Sequence, residues 1–254
     1  MNTRHSRQSF LGNNSEATLA SRTVGIIGLC GGGSHVSQQL AHVGVGNLLV
    51  SDFDTVDETN LNRMIGSRPK DAEDSTPKTV VIDRMIREIN PNITVTKLDG
   101  RWLEHEVALQ SCDLIVGCVD SYSERDSLER FCRHHKIPYV DIGMDVHKTS
   151  AGFSISGQVI VSAPGQICMR CLGFITNEKL AKEQENYGAA GGKPQVVWPN
   201  GVLASAAVGQ LMALLLPWSL DIKPSALIEY DGNRQTLCHS SKLEYLKHKE
   251  CKHF

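Results

Sequence analysis

The sequence has no long apolar run, no excess of charge of either sign and no basic cluster, and each of these gaps removes a class of protein. Its 26 basic and 28 acidic residues are mixed along the chain and leave a net charge of -2. The basic stripe that grips nucleic-acid phosphates is missing, so nucleic acid is not an expected partner. The most apolar stretch, 201–216, is shorter than the roughly 20 residues of a membrane span and carries Gln210. It reads as a buried helix, and no membrane is expected. The opening MNTRHSRQSFLGNNSEATLASR holds arginines but no apolar core of signal-peptide length, which sets the expected location as cytoplasmic. Without a secretory signal, the eight cysteines point to metal binding or free thiols rather than to a disulfide framework. No internal repeat and no low-complexity linker divides the chain, which is long enough to bury its own core.

What the sequence does hold is an alternation of short apolar runs and amphipathic segments. Val24 to Gly28 (VGIIG) reads as a strand closing on glycine, followed by a helix from about Ser34 to His42. Asn47 to Asp52 (NLLVSD) is a second strand ending on an acid, and Asp54 to Met64 a loop entering a short helix. Thr79 to Ile89 repeats apolar residues at helical spacing, and Ile93 to Leu98 alternates as a strand. Asp113 to Gly117, Ser123 to His135 and Pro138 to Ile142 add strand, helix and strand. The β-α-β-α-β order predicts an α/β protein with a Rossmann-like, doubly wound sheet, parallel in its first half. Beyond Gly143 the rhythm changes. Phe153 to Ser162 reads as strand or hairpin, 175–197 as a polar crossing loop with GAAGG at 188–192, and Ala226 to Tyr230 and Arg234 to His239 as closing strands. The second half of the sheet is therefore expected to be mixed or antiparallel.

GLCGGGS at 28–34 follows a strand and opens a helix, the setting in which a glycine turn lets phosphate approach backbone N–H groups. It departs from GxGxxG because Cys30 stands at the second glycine position, while Gly28, Gly31 and Gly33 remain. Asp52 ends the second strand, where an acid accepts hydrogen bonds from ribose hydroxyls. These features alone favour a nicotinamide enzyme, with close packing as the plain alternative. Hydride transfer has no use for the polar set that follows. Asn60 and Arg63 are one helical turn apart. Lys78 starts a helix, where a cation is unfavourable to the helix dipole and implies an anionic partner. Asp120 follows an apolar strand at the ligand-binding edge, as a Mg²⁺ carboxylate would. Taken one at a time, each is also readable as a solvated surface charge. Cys168 and Cys171 form a CxxC, either a redox pair or half of a metal site.

In chain order, RHSRQ, GLCGGGS, SDFDTVDETNLNRM, TPK, GCVDS and CMRC resemble the ThiF/MoeB/HesA adenylyltransferases, relatives of the ubiquitin-activating enzymes, over nearly the whole chain. The resemblance implies ATP-dependent adenylation of the C-terminal carboxylate of a ubiquitin-like or sulfur-carrier protein with a Gly-Gly tail. It implies that Asp52 and Asp54 serve the ribose side, that Asn60, Arg63 and Lys78 handle phosphates, and that Asp120 organises Mg²⁺. Arg7 would reach the γ-phosphate of ATP in the opposite subunit, making a homodimer obligatory. A second CxxC is expected near the C-terminus, and here that place holds His248 and Cys251, giving Cys168, Cys171, His248 and Cys251 as zinc ligands with His253 in competition. One unit results: an arm at 1–22, a nucleotide-binding half at 23–145 and a carrier-binding and zinc half at 146–254. The glycine-rich stretch at 188–192 is the candidate cover for the tail channel.

Two other readings stay open, an enzyme that adenylates a carboxylate on a tRNA base and a relative that only binds a partner. Downstream, the activated carrier would pass to a conjugating enzyme or a sulfurtransferase. Relatives that use a thiol place it between Leu172 and Gly201, near Gly191 here, and that stretch contains no cysteine. The expectation is an enzyme that stops at the adenylate.

Overall fold

The computed structural model describes residues 3–185, 194–216, 218, 221 and 223–254; the expected cover at 188–192 lies outside them. A 3₁₀ segment, Thr3–Leu11, leads into α1 (Ser15–Ser21), β1 (Thr23–Ile27), α2 (Gly31–Val43) and β2 (Asn47–Asp52). Then come α3 (Pro69–Glu73), α4 (Lys78–Ile89), β3 (Thr94–Asp99), α5 (Glu106–Leu109), β4 (Leu114–Gly117), α6 (Tyr122–His134) and β5 (Tyr139–Thr149). The remainder is β6 (Gly152–Ser162), α7 (Asn177–Glu185), α8 (Val197–Leu215), β7 (Leu227–Asp231), β8 (Thr236–His239) and α9 (Lys242–Leu246).

The eight strands form one sheet in the order β3-β2-β1-β4-β5-β6-β7-β8. The pairs from β3 to β5 are parallel, and those from β5 to β8 antiparallel. The strand order reverses between β1 and β4, which opens the crevice where open α/β sheets take ligands. Alternate residues of the strands feed two cores. Val24, Ile26, Leu48, Val50, Leu114 and Val116 pack with α2, α4 and α8 on one face. Ile27, Leu49, Ile115 and Tyr139 pack with Leu128 of α6 on the other.

Three elements differ from the sequence expectation. Strand β5 runs on to Thr149 because β5 and β6 pair in continuous register from Tyr139↔Ser162 to Thr149↔Gly152, leaving a two-residue hairpin loop in which Gly152 begins the return strand at φ 121°. Within the expected loop at 175–197 lies α7, whose NEKLAKEQE is built of good helix formers and whose start is capped by Thr176 Oγ1 accepting from Lys179 N–H at 3.3 Å. The buried helix begins at Val197, four residues earlier than expected. Its Pro199 falls in the first turn, where no intrahelical partner for an N–H is required. α8 is long and apolar enough to cross a membrane by length and composition, but it packs against α2, β5 and β6.

Candidate functional site

Gly28 leaves β1 at φ 86°, in the left-handed region, and a Cβ there would lie 2.6 Å from the Cys118 carbonyl oxygen. A Cβ on Gly33 would lie 1.8 Å from the Gly28 oxygen. Glycine at both positions is what allows α2 to start hard against the turn. Gly31 faces Asn200 of α8, whose amide a Cβ would meet at 2.5 Å.

Asp52, at the end of β2, is fixed against this turn. Its carboxylate accepts from Leu29 N–H at 2.7 Å and Asp54 N–H at 2.9 Å. Lys78, at the start of α4, places its ammonium 2.7 Å from Asp54 Oδ2 and 3.8 Å from Asp52 Oδ1, which supplies the anionic partners its position called for. Burial holds the Asp52 carboxyl above its ordinary value although Lys78 pulls it down. At Lys78 burial disfavours the ammonium, but Asp52 and Asp54 outweigh it and raise the pKa.

Asn60 is buried, its side chain closing a capping box by accepting from Asp57 N–H at 3.3 Å, so it shapes the loop that carries Arg63. Arg63 Nη1 donates to the Thr59 carbonyl and, at 3.1 Å, to Asn62 Oδ1, while its buried Nε–H has no partner among the described residues. An orphaned guanidinium donor beside a glycine turn suits an anionic ligand. Asp120 follows β4 with its carboxylate exposed. Between these groups stands Cys30. Burial pushes its thiol up, Arg63 and Lys78 lower it, and Asp52 and Asp120 raise it. The structure therefore gathers Gly28, Gly31, Gly33, Asp52, Asp54, Arg63, Lys78 and Asp120 at the strand-order reversal.

Arg7 stands apart from them. Its neighbour Gln8 donates to Val43 O at 3.3 Å, and His5 packs on Gly44, so the arm sits at the C-terminal end of α2. The glycine turn lies at the other end of that 13-residue helix, about 18 Å away, beyond the reach of an arginine side chain.

Several site residues escaped sequence reasoning. Gln195 Nε2 donates to Asp120 Oδ1 at 3.4 Å, and its carbonyl accepts from Asn62 Nδ2 at 3.2 Å, joining the two sides of the crevice. Phe53 is exposed beside Asp52, with the Arg101 guanidinium 5.2 Å from its ring centroid. The Glu124 carboxyl is raised by burial, an effect partly offset by Arg101. These contacts join distant stretches of chain, and no local spacing announces them.

The second cluster comprises Cys168, Cys171, Cys251 and His253, whose ligand atoms lie within 4.8 Å of one another. His253, not His248, takes the fourth corner: its Nδ1 is 3.4 Å from both Cys168 Sγ and Cys171 Sγ, which are 3.7 Å apart. A tetrahedral Zn²⁺ with bonds near 2.3 Å has edges of about 3.8 Å, so the donors fit a closed structural site. The 3₁₀-like turn that returns Lys249 N–H to Leu246 O carries the chain past His248, and the extended tail then folds His253 back.

A parallel Rossmann-like half with a glycine turn and carboxylates at its reversal point, continued by an antiparallel half and a Cys/His knuckle, defines a nucleotide-binding α/β protein. The chain belongs to the ThiF family, whose sequence model matches residues 3–253. It is similar to the molybdopterin-synthase adenylyltransferase of Escherichia coli K12, 34% identical over 167 residues, which cover 64% of this chain and 63% of that protein. It is similar also to the SAMP-activating enzyme E1 of Haloferax volcanii, 32% identical over 172 residues, 66% of this chain and 60% of that protein. The chain thus spans less than two thirds of the length of these relatives. Among solved structures, the microcin C7 biosynthetic enzyme MccB in complex with N-formylated MccA superposes with a TM-score of 0.78 at 20% identity, covering 94% of this chain and 72% of that one, a likeness of fold.

Proposed function

We propose that this chain is an ATP-dependent adenylyltransferase that activates the C-terminal carboxylate of a small ubiquitin-like or sulfur-carrier protein. The observation that carries the reading is the convergence at the glycine turn of Asp52, which accepts from Leu29 N–H, of Lys78, 3.8 Å from Asp52, and of Asp120, which Gln195 joins to Asn62 beside Arg63. Two cations with an orphaned N–H suit a triphosphate, and an exposed carboxylate suits its Mg²⁺; a nicotinamide needs neither. Family membership and the names of the relatives point the same way.

In the reaction a carboxylate oxygen of the acceptor attacks the α-phosphorus of ATP. The new O–P bond forms as the bond to the β-phosphate oxygen breaks, giving acyl-AMP and pyrophosphate. No enzyme side chain is consumed, so the chain's work is positioning and charge compensation. Asp52 holds the ribose, and the turn N–H groups with Arg63 and Lys78 meet the phosphates. Mg²⁺ bound at Asp120 would neutralise charge growing on the leaving pyrophosphate. Zn²⁺ at Cys168, Cys171, Cys251 and His253 has no open position and would tie the C-terminal tail to the body of the fold.

Arg7 cannot serve its own site, and a homodimer gives it one. α8 runs beside α2 in the same direction, as Gly201 near His35 and the 3.1 Å hydrogen bond from Gln39 Nε2 to Ser205 Oγ indicate. It exposes Trp198, Val202, Ser205 and Gly209 along one face. A two-fold axis across that face would set the arm end of one protomer against the crevice end of its partner.

Direct transfer from the adenylate remains the better reading, because burial raises the thiols of Cys30, Cys112, Cys118 and Cys132, Cys112 to about 12. A thiolate nucleophile needs the opposite shift. A thiol-sensitive enzyme–carrier adduct on non-reducing gels would overturn that part. The test of the function itself is ATP–pyrophosphate exchange: dependence on a Gly-Gly carrier supports it, dependence on tRNA selects the RNA-modifying reading, and no exchange with either leaves a partner-binding relative.

A further inference from the structure

Beside the Asp120 turn lies a cavity of about 350 Å³ that the steps above do not use. It is framed by Gln158 of β6, Glu229 and Tyr230 of β7, Phe174 at the exit of the Cys168–Cys171 knuckle, Lys179 of α7 and Lys242 of α9. Its charge is unbalanced. Lys242 has Glu229 at 3.9 Å. Lys179 donates to Phe174 O at 2.7 Å and lies 5.1 and 5.2 Å from the ring centroids of Tyr122 and Phe174, with no carboxylate in ion-pair range among the described residues. An ammonium has three donors, so two N–H groups of Lys179 remain for a ligand. Burial, then repulsion from Lys242, holds the Lys179 pKa below the ordinary lysine value, a penalty that a bound anion would relieve.

One wall of the cavity, Phe174, packs against the residues that flank Asp120. The Phe174 ring lies 5.7 Å from that of Tyr122, two residues after Asp120, and 5.8 Å from the guanidinium of Arg125, which holds the Val119 carbonyl. An extended tail delivering its carboxylate to the α-phosphate in the crevice would run past the Asp120 turn and this opening. Apolar walls with two convergent cations select a side chain with a short methylene stem and a carboxylate head.

We propose that the cavity is a specificity subsite for the acceptor tail, receiving an acidic side chain upstream of the terminal carboxylate, with Lys179 and Lys242 as its readers. The proposal rests on the adenylation reading given above. It goes further by naming a chemical feature of the carrier.

The test uses short fluorescent peptides ending in Gly-Gly, with glutamate or glutamine at each upstream position in turn. Each is scored for binding to the full chain by anisotropy and for ATP–pyrophosphate exchange. One position should favour glutamate by about tenfold in affinity, and the glutamate-to-glutamine ratio should fall to about one in Lys179→Ala/Lys242→Ala. The wild-type comparison stands even if that variant folds poorly, and Lys242→Ala alone, at an exposed side chain, should lower the ratio partway. Equal affinities at every position, no binding by any peptide, or a preference retained in the double variant would overturn the subsite. Selective binding without any exchange would keep the subsite and remove the adenylation reading instead.

Discussion

Lys78→Met would isolate the buried charge at the foot of the crevice where the strand order reverses. The Lys78 side chain is 7% exposed, between Asp52 at 8% and Asp54 at 49%. Methionine nearly conserves the volume, so the loss is electrostatic rather than a cavity. Stripping one partner from a buried pair costs about 3–5 kcal/mol. Asp54 is half in water and contributes about 1 kcal/mol or less, and Asp52 keeps its two backbone donors. The expected loss is therefore about 3 kcal/mol, or about 6–12 °C in Tm for a chain of this size. Its pH dependence has a definite sign. Asp52 already sits above the ordinary carboxylate value through burial, and losing Lys78 raises it further. A carboxyl raised in the folded state contributes stability below its unfolded pKa and loses it as pH rises through the folded pKa. The variant should be least impaired in mild acid and fall away toward neutral pH. Adding Asp52→Asn removes the unpaired charge and should recover most of the loss. Urea denaturation of both variants across this range reads these terms. A loss under about 0.5 kcal/mol at neutral pH, or no recovery with Asp52→Asn, would refute a buried Asp52–Lys78 pair.

Asp120→Ala removes an exposed carboxylate and should keep the wild-type Tm while abolishing ATP–pyrophosphate exchange; near-normal exchange would remove its metal role. Mixing Arg7→Ala with Asp120→Ala subunits should restore about a quarter of wild-type activity, since half of the randomly formed dimers carry one intact site. Mixtures as inactive as the parents would end the trans role of Arg7. Protein purified without chelator should carry about one zinc per chain, with metal and Tm both lost in Cys168→Ser and His253→Ala but kept in His248→Ala. Zinc retained by His253→Ala would return His248 to the site.

The glycine turn, Asp52, Lys78 and Asp120 were legible because the chain writes each as a local event: a strand end, a glycine cluster, a cation at a helix start. The parallel half of the sheet was legible for the same reason, since each buried strand is a compact apolar run. α7 was not, because the glycines after it dominate the composition of 175–197 while its own exposed, charged face leaves no apolar period. His253 could not be separated from His248 by spacing: ligand choice there depends on how an extended tail folds back onto Cys168, a contact across more than eighty residues. Gln195 and Asn200 approach the crevice in the same way, from an element far along the chain.

The turn that carries Asp120 is held from two sides, and this explains why its carboxylate is available. From beneath, Arg125 donates to the Val119 carbonyl and pairs with Asp141, which is fully buried and also accepts from Tyr139 OH at 2.9 Å. A buried charge of this kind is costly to move once its partners are fixed, so the backbone just before Asp120 has one position. From outside, Glu183 of α7 accepts from Tyr122 N–H at 2.7 Å and Ser123 N–H at 2.8 Å, occupying the first donors of α6 with a carboxylate favoured by the helix dipole. Ser121 Oγ takes the next donor, from Glu124, at 3.1 Å. With the backbone on both flanks fixed by other residues, the Asp120 side chain has, among the described residues, the long Gln195 contact alone to give up. Ordering the turn is thus a cost already met in folding, and under the proposed function a cation arriving with ATP would find a carboxylate that neither the sheet nor the helix needs.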